Sequence, residues 1–195
     1  HVCMLLRKWL DEGKTPNPIS VNVSRVNIYN PHLIKIFKKL LTEFQIPAEL
    51  LNLELTESAF MEDQDLIMKT MSSLHRLGFK IMMDDFGSGY SSLNVLKDME
   101  VDYLKVDMKF LQDQEFNGKG EKVLTSVIRM AKWLHLPSIV EGVETTEQVD
   151  FLKCIGCEYA QGYYYAKPMP VADYEKFIAR EEEMGAKSSA DENAN

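Results

Sequence analysis

The stretch IMMDDFGSGYSS, residues 81–92, joins an apolar run to two adjacent carboxylates, Asp84 and Asp85, and then to a loop with two glycines. The apolar run predicts a strand, and the carboxylates stand at its C-terminal end. Adjacent carboxylates repel each other, and proteins tolerate them where a cation, a positively charged partner or open water offsets the repulsion. Which of the three applies here depends on what the rest of the chain brings to the same place.

Strand and helix patterns alternate on both sides of this stretch. Six strand candidates are separated by helices, one of them near residues 91–99, and strict alternation predicts a parallel sheet in an α/β fold. A polar residue stands at the C-terminal end of each strand. These six residues are Asn22, Glu54, Asp84, Lys105, Glu141 and Gln161. Their mean spacing is about 28 residues, close to the length of one βα unit. We expect one domain over residues 1–183, followed by a polar, disordered tail over 184–195.

The bulk composition restricts the classes of function. The 195 residues carry a net charge of −8, which argues against a nucleic-acid polymer as the partner. No apolar run approaches the roughly 18 to 20 residues of a membrane span, and no signal-peptide pattern is present. Three cysteines favour a reducing compartment over a disulfide scaffold. We therefore expect a cytoplasmic location, and the intact protein could still be anchored to a membrane through other domains.

The polar strand ends form a site only if they converge. In a βα barrel the C-terminal ends of the strands surround one face, whereas an open sheet spreads them along a line. We therefore expect a barrel, with divalent cations relieving the repulsion among the acids. Oxygen ligands without His or Cys favour Mg²⁺ or Mn²⁺. Two such ions about 3.5–4 Å apart, bridged by Asp84, would suit attack by water on a phosphodiester. Taken singly, each residue also has a structural explanation: Lys105 as an ion-pair partner, Asn22 as a turn residue, and an acid as a helix N-cap.

Six motifs together resemble the EAL domain family. In chain order they are NVS, ELTES, DDFGSGYSS, YLKVD, EGVET and QGYYYAKPMP, and they span residues 19–170. The resemblance implies a modified TIM (β/α)8 barrel and a cyclic di-GMP phosphodiesterase, a hydrolase of bacterial signal transduction that opens the messenger to linear pGpG with Mg²⁺ or Mn²⁺. It also implies a homodimer and possible GGDEF or sensory domains upstream.

The resemblance implies a role for each polar residue of these motifs. The residues implied to hold two metal ions are Asn22, Glu54, Asp84, Asp85 and Glu141. The residues implied to be catalytic are Lys105, Glu141 and Gln161: Glu141 belongs to the metal and water cluster, and Lys105 and Gln161 position the attacking water. The residues implied to bind substrate are Asp107 and Glu144. Glu57 is implied to stabilise the loop that follows Asp85, which lies beside the dimer contact in the family.

The strand with the motif Glu-Ala-Leu that names the family is absent from the chain. We expect that roughly the first two strands of the barrel, and one metal ligand with them, belong to sequence upstream. The parent protein is then expected to hydrolyse cyclic di-GMP, and this chain by itself to be weakly active or inactive. The alternative is a catalytically inactive cyclic di-GMP receptor or protein-interaction module. A glutamate in an upstream EAL-like strand would favour the enzyme, and an apolar residue there would favour the receptor.

Overall fold

A computed structural model describes residues 1–61, 63–87, 96, 100–108 and 118–192. The strands are β1 (Ile19–Asn22), β2 (Leu51–Thr56), β3 (Lys80–Asp84), β4 (Tyr103–Asp107), β5 (Ser138–Glu141) and β6 (Tyr159–Gln161). The α-helices are α1 (Val2–Asp11), α2 (Arg25–Ile28), α3 (Leu33–Phe44), α4 (Gln64–Arg76), α5 (Lys119–Trp133), α6 (Thr146–Ile155) and α7 (Val171–Glu192). Short 3-10 turns cover Ala48–Leu50 and Glu57–Met61. Apart from residue 96, the helix predicted near 91–99 lies outside the described residues.

The six strands form one parallel sheet in chain order, β1 to β6, with each strand hydrogen-bonded to the next. Where the connections are described, helices join the strands, from β1 to β2, β2 to β3, β4 to β5 and β5 to β6, as parallel pairing requires. The result is a half-barrel, part of a (β/α) barrel, and the predicted α/β fold with six parallel strands is confirmed. Because all six strands run in the same direction, their C-terminal ends lie at one edge of the sheet, where the predicted site residues stand.

The core lies between the sheet and its helices. Leu53 and Leu55 in β2 are buried and alternate with Asn52 and Glu54, so the apolar and polar pairs lie on opposite faces of the strand. The helices bury apolar residues at helical spacing, as Ile67, Met71 and Leu74 of α4 illustrate. One face of the sheet is therefore filled by helix packing, and the other carries polar side chains.

The ends of α6 and α7 can be compared with the sequence prediction. α6 closes at Gly156, whose φ of 72° is left-handed, as the sequence predicts for a glycine that follows a helix. α7 runs to Glu192 and includes most of the segment predicted as a disordered tail. A formed helix propagates into polar residues because each added residue contributes one backbone hydrogen bond. The helix end therefore differs from the predicted boundary at 183, and the division into domain and tail stays a prediction.

Within the described chain, no helix combines the length and the apolarity needed to cross a bilayer.

Candidate active site

Four of the predicted site residues meet in one cluster at the C-terminal edge of the sheet. They come from four consecutive strands: Glu54 from β2, Asp84 from β3, Lys105 from β4 and Glu141 from β5. Each strand buries its apolar residues, and one polar side chain of each strand then lies at the C-terminal edge of the sheet. We call these four residues the central cluster.

Lys105 is the centre of the central cluster. Its Nζ lies 2.6 Å from Glu141 Oε1, 2.8 Å from Glu54 Oε1 and 3.3 Å from Asp84 Oδ1. Lys105 is only 4% exposed, so these carboxylates take the place of water around the ammonium group. Three carboxylates from three different strands therefore converge on one cation.

The charges of the central cluster do not balance. One ammonium and three carboxylates sum to 1 − 3 = −2 in formal charge. Burial alone would lower the pKa of Lys105, but its hydrogen bonds to Glu141 and Glu54 outweigh burial and raise that pKa above its ordinary value. Burial raises the pKa of Glu141; Lys105 opposes this rise, while Asp84 and Glu54 add to it. The cluster thus keeps its cation protonated and carries an excess of negative charge.

Three further predicted residues flank the central cluster through strand pairing. Asn22 ends β1 and is paired in register with Glu54. Asp107 and Gln161 end β4 and β6, and both are paired in register with Glu141. Strand neighbours in register have adjacent side chains on the same face. The sheet therefore places these three residues beside the central cluster.

The turn that follows β3 is tied to its surroundings by hydrogen bonds. Asp85 has a left-handed φ of 56°, and its backbone N–H donates to Asp84 Oδ1 over 3.0 Å. Glu57 is buried, and its Oε2 accepts the N–H of Gly87 over 3.0 Å. The Phe86 N–H donates to the Lys105 carbonyl over 3.1 Å. The remainder of the predicted loop, residues 88–92, lies outside the described residues.

The EAL domain family model matches residues 1–168, which include every residue of this site. The chain belongs to the EAL domain family. It is 36% identical to the signaling protein YkoW of Bacillus subtilis (strain 168) over 91% of this chain and 22% of YkoW. It is also 36% identical to the cyclic di-GMP phosphodiesterase NbdA of Pseudomonas aeruginosa, over 91% of this chain and 23% of NbdA. This EAL domain therefore spans less than a quarter of the length of these curated relatives.

A solved structure has the same fold. It is described as the PaMucR phosphodiesterase in a c-di-GMP complex, and the Pseudomonas aeruginosa relative MucR is named as both a diguanylate cyclase and a cyclic di-GMP phosphodiesterase. The EAL domain superposes on it with a TM-score of 0.82 at 32% identity, covering 88% of this chain and 70% of that one. The predicted family is thus confirmed by sequence and by fold.

The segment after β5 holds two residues that the sequence analysis missed. Val143 is buried, and the β6 turn packs so closely against it that a Cβ on Gly162 would collide with the Val143 backbone. The side chain of Gln148 accepts hydrogen bonds from the backbone N–H groups of Glu144 and Thr145. The signal for Gln148 was present, because Thr-x-x-Gln before an apolar run is the pattern of a capping box. Glu144 itself is exposed on this segment, outside the contacts of Lys105.

The donor set of the site fits Mg²⁺ or Mn²⁺. Among the described residues, no group of three or more His, Cys, Asp and Glu side chains has the spacing of a formed metal site, and the carboxylates instead surround Lys105. Their chemistry is nevertheless that of a hard-cation site: carboxylate oxygens, one neighbouring amide at Asn22, and an excess charge of −2. A divalent cation would neutralise that excess. The metal-ligand assignments for Asn22, Glu54, Asp84, Asp85 and Glu141 stay predictions.

Proposed function

We propose that the natural protein that contains this EAL domain hydrolyses cyclic di-GMP to linear pGpG in a reaction that depends on Mg²⁺ or Mn²⁺. The observation that carries the proposal is the convergence of Glu54, Asp84 and Glu141 on the buried Lys105, within 2.6–3.3 Å. Support comes from relatives of the same family that are named cyclic di-GMP phosphodiesterases. Chemistry at a phosphodiester needs positive charge near the phosphate. The site has one fixed ammonium, and its excess negative charge would bind divalent cations that supply the rest.

Each residue of the site has a defined task in this proposal. The residues that would hold the cations are Asn22, Glu54, Asp84, Asp85 and Glu141. A bound divalent cation lowers the pKa of a water molecule and offsets charge on the phosphate. Lys105, surrounded by carboxylates, stays protonated, so it donates hydrogen bonds and cannot act as a base. With Gln161, it would orient the attacking water.

The substrate side of the site is formed by the ends of β4 and β5. Asp107 and Glu144 would contact the nucleotide, and Glu57 would hold the turn after Asp85 in place through Gly87. We further propose a homodimer as the working form. We also propose a GGDEF or sensory domain as a neighbour in the natural protein, since the relative MucR is named as a bifunctional diguanylate cyclase and phosphodiesterase. A cytoplasmic location stays a prediction from composition.

The test is hydrolysis of cyclic di-GMP by the natural protein that contains this sequence, with pGpG quantified by chromatography. Wild type should form pGpG with Mg²⁺ or Mn²⁺ and none with EDTA. Glu54→Gln should lower the rate at least about a hundredfold, because it removes a charge from the metal site. Glu49→Gln is the matched control: the same change at an exposed position just before the opposite end of β2 should leave the rate unchanged.

The outcomes separate the two candidate functions. Binding of cyclic di-GMP without pGpG would favour the inactive receptor, and absence of both binding and turnover would reject the proposal. The chain by itself, assayed in parallel, is expected to be weakly active or inactive. Rapid turnover by the chain alone would contradict this expectation.

A further inference from the structure

The segment that connects β5 to α6, residues 142–145, has its backbone tied on the side of β6. The Val143 N–H donates to the Gln161 carbonyl over 3.1 Å, and the Val143 carbonyl accepts the Tyr164 N–H over 3.0 Å. Gly162 packs against the same peptide, with no room for a Cβ between them. These contacts place Val143 in a fixed position relative to Gln161. We call residues 142–145 the β5–α6 loop.

The other half of the β5–α6 loop is tied by one side chain of α6. Gln148 Oε1 accepts the Glu144 N–H over 2.7 Å and the Thr145 N–H over 3.1 Å. In return, Thr145 Oγ1 accepts the Gln148 N–H over 3.3 Å, which completes a capping box. Of the two N–H groups that Gln148 Oε1 accepts, the capping box requires only that of Thr145, the N-cap residue. The second and shorter bond, to Glu144, reaches one residue beyond the helix cap.

We propose that Gln148 is a positioning residue that acts through Glu144. The inference deepens the proposed function, because it assumes that Glu144 contacts the nucleotide. Glu144 is exposed, so its side chain is not held by burial and its direction depends on the backbone beneath it. Gln148 holds that backbone on both sides of the Glu144 Cα, through the N–H groups of Glu144 and Thr145. The Val143–Gln161 bond fixes the preceding residue. The nucleotide then meets a carboxylate whose position is set before binding, and less ordering is required on association.

The test compares two substitutions of the same side chain in the natural protein. Gln148→Leu removes the acceptor, whereas Gln148→Glu retains an acceptor oxygen in the arrangement of a Thr-x-x-Glu capping box. Gln148→Leu should speed amide hydrogen exchange at Glu144 and Thr145 about fivefold or more and raise the KM for cyclic di-GMP by a similar factor. The kcat should change less than the KM. Gln148→Glu should restore both quantities to near the wild-type values.

Two controls separate positioning from stability. Asp63→Ala removes a comparable cap from α4, where Asp63 Oδ1 accepts the Leu66 N–H over 3.1 Å. It should lower the melting temperature about as much as Gln148→Leu and leave the KM unchanged. In a Glu144→Gln background, Gln148→Leu should have no further effect on the KM, because the residue through which it acts is already altered.

The outcomes are distinguishable from failure of the proposed function. If wild type forms no pGpG, the proposed function fails, and the exchange rates still decide whether Gln148 holds the backbone. Unchanged exchange at Glu144 in Gln148→Leu would overturn the inference whatever the enzyme does. Faster exchange with an unchanged KM, or an equal KM effect in the Glu144→Gln background, would also overturn it.

Discussion

Replacing Lys105 by methionine should destabilise the protein strongly at neutral pH. The substitution keeps most of the side-chain volume and removes the cation that Glu141, Glu54 and Asp84 approach to 2.6, 2.8 and 3.3 Å. At an effective dielectric constant of about 20, the attraction between Lys105 and Glu141 alone is about 6 kcal/mol. Desolvation of the ammonium and repulsion among the carboxylates offset much of it. Removing one partner of a buried ion pair costs about 3–5 kcal/mol, and we expect a loss in that range.

The pH dependence of this loss follows from the carboxylates that remain. Without Lys105, the influence that holds the pKa of Glu141 down is gone, so its folded pKa rises further above the ordinary value of 4.5. A carboxyl group with a raised folded pKa costs stability above its unfolded pKa, and the cost disappears as pH falls through the folded pKa. The deficit of Lys105→Met should therefore be largest at pH 7 and above, and shrink toward pH 5.

The assay is urea unfolding of wild type and Lys105→Met at pH 7.5 and pH 5. The matched control is Lys80→Met, since Lys80 also contacts a carboxylate at 2.7 Å but has a side chain that is 51% exposed. An exposed pair contributes about 1 kcal/mol or less. Mn²⁺ should stabilise Lys105→Met more than wild type, because the ion can replace the missing charge. A Lys105→Met loss no larger than that of Lys80→Met, or a loss independent of pH, would refute the reasoning.

Three further predictions concern the scaffold. Burial opposes a low pKa at Asp102, but hydrogen bonds from Lys80 and the Ile81 N–H lower it below 3.8, so Asp102→Asn should cost about 2 kcal/mol at pH 7. In urea titrations, that cost should vanish as pH falls below about 4, through the lowered folded pKa; a constant difference would contradict this assignment. Gly162→Ala should lower the melting temperature by several degrees in calorimetry, because the new methyl group meets the backbone of Val143; an unchanged melting temperature would show that the turn can move away. Phe60→Ala should cost about 3–5 kcal/mol in urea unfolding, since the fully buried ring leaves a cavity, and a loss below 1 kcal/mol would mean that the core collapses into it.

The local pattern was sufficient to predict the strands. Short apolar runs that end in a polar residue, such as IMM before Asp84 and YL before Lys105, predict strands, and alternation with helical patterns predicts parallel pairing. The grouping of the polar residues follows from the same reasoning, because the C-terminal ends of parallel strands all lie at the same edge of the sheet. The predicted α/β fold and the family were therefore accessible before any coordinate.

Three features of the site lay beyond that pattern. The sequence identifies Glu54, Asp84 and Glu141 as acids at strand ends but does not reveal that all three contact Lys105. It contains a capping-box pattern at Gln148 but does not reveal the second bond to Glu144. It shows Gly162 as one more loop glycine. Each of these three features depends on which groups lie close together in the folded chain.

The amino-acid sequence by itself determined the order of strands and helices, their direction, the family, and the identity of the polar residues at the strand ends. The strands and helices are predicted locally, from periodicity and residue type within one βα unit, and the family follows from six short motifs in their order along the chain. Only the tertiary structure decided which of those residues touch. The distances among four strand ends depend on the register of three neighbouring strand pairs and on the curvature of the sheet, and no short segment of the chain contains that information.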